Sequence, residues 1–123
     1  MKKLKITPVS KPRMTRSDAW KKRPCVTKYW GFKTELIRLF GENNISINET
    51  LYIEFHLPMP KSWSNKKKKE KEKDFHDQKP DIDNLIKAVL DAILSEDCKV
   101  HSVHARKFWA KEGAIVIWDS QEF

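Results

Sequence analysis

From Ile82 to Ile93 the chain places apolar residues at Ile82, Leu85, Ile86, Val89, Leu90 and Ile93, a spacing that an α-helix gathers onto one face. The pattern predicts an amphipathic helix from about Asp83 to Leu94. Its start is doubly marked: Pro80 sets an extended approach, and an aspartate in the first turn can accept unpaired backbone N–H groups and complement the helix dipole. Asp83, Lys87 and Asp91 fall four residues apart on the polar stripe. With extended backbone ahead of the helix, Asp81 and Asp83, two residues apart, point the same way. Two carboxylates then converge where the helix begins, with a lysine one turn along.

Residues 74 to 97 carry seven acids (Asp74, Asp77, Asp81, Asp83, Asp91, Glu96, Asp97) against Lys79 and Lys87, in a chain whose net charge is +8. Carboxylates this close repel unless a cation lies between them. Hard oxygen donors suit Mg²⁺ or Mn²⁺, which keep several waters and complete their shell with phosphate. Asp97, returning after a short turn, is a candidate third carboxylate. Such a set can act on a phosphodiester, with Lys87 neutralising charge that develops on the phosphate. The same residues also admit an ordinary account, with Asp83 as a helix cap, Asp83–Lys87 and Lys87–Asp91 as solvated pairs worth a few tenths of a kcal/mol each, and Asp97 as a turn residue.

The whole string favours the chemical account. Lys79-Pro-Asp-Ile-Asp-Asn-Leu-Ile-Lys-Ala-Val-Leu-Asp-Ala-Ile-Leu94, followed by Glu96-Asp97-Cys-Lys-Val100, resembles the signature of the RusA family of Holliday junction resolvases, roughly D-x-D-N-L-x-K-x-x-x-D-x-L and then D-D-x-x-V. The segment Pro12-Arg13-Met14-Thr15-Arg16-Ser17-Asp18, with Trp20, is similar to the N-terminal segment of phage members. The resemblance implies a small, homodimeric, Mg²⁺-dependent endodeoxyribonuclease that cuts four-way junction DNA by paired nicks, of phage or prophage type, with a role in recombination and repair. It implies that Asp81, Asp83 and Asp97 hold the metal and carry catalysis, that Lys87 is the essential helix lysine, and that Asp91 supports the site. The sequence departs from the pattern at Glu96, where an aspartate is usual, so either member of the Glu96–Asp97 pair can be the main third carboxylate. The connection from Asp91 to Glu96 is also shorter than in the bacterial prototype.

Charge distribution points to a polyanionic partner. Residues 1–38 hold twelve Lys or Arg against Asp18 and Glu35, and residues 61–73 hold seven Lys against Glu70 and Glu72. That segregation is the footprint of nucleic-acid binding, with a solubilising surface as the plain alternative. Arg13, Arg16, Lys21, Lys22, Arg23, Lys66, Lys67, Lys68, Lys69 and Lys79 are candidate DNA contacts, and Trp20 can stack on a base or simply pack. Cys25 and Cys98 are too few for a disulfide framework and read as reduced packing residues. The chain shows no leader-like apolar region and no membrane-length apolar run, so a cytoplasmic location and no membrane partner are expected.

Along the rest of the chain, Leu4, Ile6 and Val9 suggest a first strand that Pro8 confines to an edge, and residues 10–26 an irregular basic segment. Tyr29, Phe32, Leu36, Ile37, Leu39 and Phe40 predict a helix over about 28–40, with Gly41 just past its end. From Thr50, Leu51, Ile53, Phe55 and Leu57 alternate with polar residues in the clearest strand signal, stopped by Pro58 and Pro60. Residues 61–78 read as an exposed, flexible basic loop or helical extension, in which His76 could sit near the metal but reads more simply as a polar loop histidine. Val100, Val103, Ala105 and Phe108-Trp109 suggest an irregular, bulged strand, and residues 114–118 a strand buried on both faces. His101 and His104 do not share a strand face, which argues against zinc. The expectation is one α+β domain over 1–123, a small mixed sheet covered by helices. Two other readings compete: a less selective metal-dependent nuclease on branched DNA, and a non-catalytic basic nucleic-acid-binding protein.

Overall fold

The computed structural model describes residues 1–12, 23–94 and 99–118. In chain order these give strand β1 (Lys2–Leu4), helix α1 (Pro24–Glu42), strand β2 (Thr50–Pro58), helices α2 (Asn65–Lys71) and α3 (Ile82–Ile93), and strands β3 (Ser102–Ala110) and β4 (Ala114–Ile117). The four strands form one mixed sheet in the order β1-β4-β2-β3, antiparallel except for the parallel pair β2–β3. Parallel neighbours need a crossover, and residues 59–101 supply it, carrying α2 and α3. The α+β class with a mixed sheet is as expected.

Alternation in β2 decides how the layers stack. Leu51, Ile53, Phe55 and Leu57 are buried in one cluster with Leu4 and Ile115, with Tyr29, Phe32, Leu36 and Phe40 of α1, and with Leu85, Ala88, Val89 and Ala92 of α3. Both long helices therefore cover the same face. The opposite face carries Tyr52 stacked on His104 at 4.7 Å, Glu54 paired with Arg106 at 2.9 Å, and His56 edge-on to Phe108.

Four local expectations need correction. Helix α1 begins at Pro24, where proline's missing N–H costs nothing, so Val26 joins the buried stripe. At its far end Gly41 lies inside the last turn. The left-handed residue is Asn44 (φ 53°), while the Asn43 side chain donates to the Leu39 carbonyl at 2.9 Å. Strand β3 pairs one-to-one with β2 from Thr50↔Ser102 to Pro58↔Ala110, so it carries no bulge there. Its weak alternation comes from its place at the side of the sheet, where both faces are only half covered. Cys25 is exposed in the first turn of α1 rather than packed; Cys98 and Trp20 lie outside the described residues.

Candidate active site

Asp81 is the N-cap of α3, with extended backbone (φ −70°, ψ 145°), and its carbonyl accepts the helical hydrogen bond from Leu85 N–H. Its side chain makes no capping bond. Asp83 lies in the first helical turn, so its direction follows the helix rather than the strand-like alternation expected from an extended approach. Both carboxylates are exposed, and neither has a hydrogen bond or ion pair among the described residues. Burial of Leu85, Ala88, Val89 and Ala92 fixes the helix against the sheet and leaves Lys87 exposed one turn from Asp83.

The approach to this helix is held by the sheet. Residues 73–76 run along the outer side of β3: Lys73 N–H donates to the Trp109 carbonyl at 2.9 Å, Trp109 N–H to Asp74 at 2.9 Å, and His76 N–H to Lys107 at 3.0 Å. The Lys107 ammonium then donates to the carbonyls of Gln78 at 2.6 Å and Pro80 at 2.8 Å, the latter immediately ahead of Asp81. Lys79–Pro80 is a cis peptide. His76, read from sequence as a polar loop residue, is buried against the Trp109 ring at 4.1 Å. Burial, and then the nearby Lys107 charge, push its imidazole below the usual histidine range.

Asp91 accepts from the Lys11 ammonium at 2.6 Å, in a half-buried pair that joins the N-terminal segment to α3. The Tyr29 phenol of α1 is pushed up by burial, with smaller opposing effects of Lys11 and Asp91. Lys11 and Lys107 are the residues that sequence reasoning missed. A signal existed for Lys107, which shares its strand face with Ala105 and buried Trp109, an odd place for an ammonium group without partners. For Lys11 there was none.

The structure thus places Asp81 and Asp83 at the N-terminal end of α3 and Lys87 one turn further along. Glu96 and Asp97 lie outside the described residues, as do Arg13, Arg16, Lys21 and Lys22. Arg23 is the N-cap residue of α1, Lys66, Lys67, Lys68 and Lys69 are on α2, and Lys79 is exposed beside the acid pair. Among the described residues no group of three His, Cys, Asp or Glu side chains is placed to hold a metal. Two unengaged oxygen donors in close succession nevertheless fit a hard divalent ion that keeps most of its waters.

A family model described as endodeoxyribonuclease RusA matches residues 5–118. Uncharacterized protein YqaN of Bacillus subtilis (strain 168) is 41% identical over 73 residues, covering 53% of this chain and 51% of that protein. The chain thus spans about half the length of that curated relative. No solved structure matches the chain. With a match that runs through the basic N-terminal segment, the acid-bearing helix and the last strand, the chain belongs to the RusA endodeoxyribonuclease family.

Proposed function

We propose that the protein is a Mg²⁺-dependent, structure-selective endodeoxyribonuclease that resolves four-way DNA junctions by paired nicks, working as a homodimer in recombination and repair. Family membership over nearly the whole chain carries this reading. The uncommitted carboxylates of Asp81 and Asp83 support it, since a helix cap whose only task was to end the backbone ladder would bond the free N–H groups.

Asp81 and Asp83 would hold the ion, together with Asp97 or Glu96. Bound Mg²⁺ supplies Lewis acidity toward the phosphodiester and lowers the pKa of water. Lys87 faces the phosphate and offsets charge gained in the transition state. Lys11 keeps Asp91 oriented along α3, and Lys107 keeps Asp81 at the head of the helix. Lys79, the lysines of α2 and the basic N-terminal residues hold the DNA backbone without reading sequence. A twofold assembly would present two such sites to symmetry-related strands, which is what paired nicking requires.

Replacing Asp83 with Asn tests the assignment. Junction cleavage in Mg²⁺ is expected to disappear, while junction binding in EDTA is retained or tightened because a negative charge facing phosphate is gone. Cleavage at the wild-type rate by Asp83→Asn would remove the site. Equal wild-type rates on linear, forked and four-way substrates would instead leave a less selective nuclease.

A further inference from the structure

Between α2 and the segment that leads to the acid pair lies an open cleft of about 380 Å³. Trp63, Phe75, Trp109, Lys67 and Lys71 line it; Trp109 is buried, and the exposed Phe75 ring stands at the rim, turned onto Phe108. We propose that this cleft receives one unstacked nucleotide of a branched DNA, with its base on the exposed Phe75 ring at the rim and its phosphate on the two lysines. The inference rests on the nuclease reading and adds the place where an unpaired nucleotide is recognised.

The Trp109 ring is buried and fixed, tilted against Trp63 at 4.7 Å and backed by His76 at 4.1 Å. Phe75 is 69% exposed, yet its ring is held in place by stacking on Phe108 at 5.1 Å with only 21° between the planes. A pre-oriented, solvent-facing ring suits base stacking, which every base can satisfy because each has a π-face. Lys67 Nζ already sits 4.4 Å from the centre of the Trp63 ring, so cation and ring are presented together. Asp74 and Asp77 add acceptors for the amino groups of a base.

Charge selects the occupant. With Lys66, Lys67, Lys68, Lys69 and Lys71 within one short helix, a second copy of this chain placed here would meet its own positive charge, whereas a polyanion is attracted. Gln78 also lines the cleft, and its carbonyl is held by Lys107. Asp81 is the third residue beyond Gln78, a reach of at most about 11 Å, or about three nucleotide steps at 3.4 Å each. A base captured in the cleft thus belongs to the same stretch of strand as the phosphate presented to the acids.

The test measures binding in EDTA, by fluorescence anisotropy, to a perfect duplex and to the same duplex carrying one unpaired nucleotide. Wild type is expected to prefer the second, and Phe75→Ala to weaken that binding about tenfold while leaving the duplex unchanged. Phe75→Tyr, which keeps a ring, should retain the preference. Equal loss on both DNAs, no loss, or no preference in the wild type overturns the proposal. So does a change of oligomeric state in Phe75→Ala without selective loss, which would make the cleft a self-association surface. Since no cleavage is measured, these outcomes are independent of Asp83→Asn, which tests the nuclease reading itself.

Discussion

Lys107 is a strand residue whose ammonium serves a loop. It holds two carbonyls just ahead of Asp81, so it sets where the acid pair stands without being placed to touch the ion or the DNA. Lys107→Met keeps the length of the side chain and removes the charge-assisted bonds. Its kcat for cleavage is expected to fall about a hundredfold, the scale of a misplacement near 1 Å, with the KM for DNA unchanged. A fall in DNA affinity instead would show that Lys107 binds phosphate. The grouping of Asp81, Asp83 and Lys87 was legible because it is local, three residues within two turns at the start of one helix. Lys107 and Lys11 were not, since their partners lie 27 to 29 and 80 residues away and only the closed fold brings them together.

Periodic elements were the readable ones. Helix α3 was expected over 83–94 and spans Ile82–Ile93, and β2 begins and ends where its alternation does. Strand β3 was read as irregular because its neighbours on one side are a crossover segment rather than a strand, and partial cover blurs alternation. The turn between β3 and β4 carried a requirement no pattern revealed. A Cβ on Gly113 would lie 2.6 Å from the Cα of Thr7, against backbone that cannot swing aside. Gly113→Ala is therefore expected to destabilise the protein by about 1–3 kcal/mol, seen in urea as a lower midpoint with an unchanged slope.

Across the molecule, stability depends on pH through two imidazoles on opposite sides of the sheet. Burial holds His56 and His76 below the ordinary value of 6.5; Glu54 opposes the effect at His56, and Lys107 adds to it at His76. The unfolded chain then takes up more protons than the folded one below about pH 6.5, so stability is full above that value and declines as pH falls through the folded values. Melting temperature measured from pH 7.5 to 5 should drop less steeply in the His56→Gln/His76→Gln double variant than in wild type. Parallel curves would show that neither histidine is held neutral by the fold. Composition revealed the basic balance and the succession of strands and helices the mixed-sheet class, whereas strand order and the one-sided helix layer came from contacts that sequence spacing does not encode.

The tie from β3 to the head of α3 couples sheet pairing to chemistry. Shifting β3 by one position along β2 would turn Lys107 to the other side and release the Gln78 and Pro80 carbonyls. A nascent or mispaired chain would then have its aspartates but no fixed place for them. On the reading proposed, such a protein acquires the ability to nick DNA only once β3 has docked in register beside β2, which spares the genome from half-made copies of the enzyme.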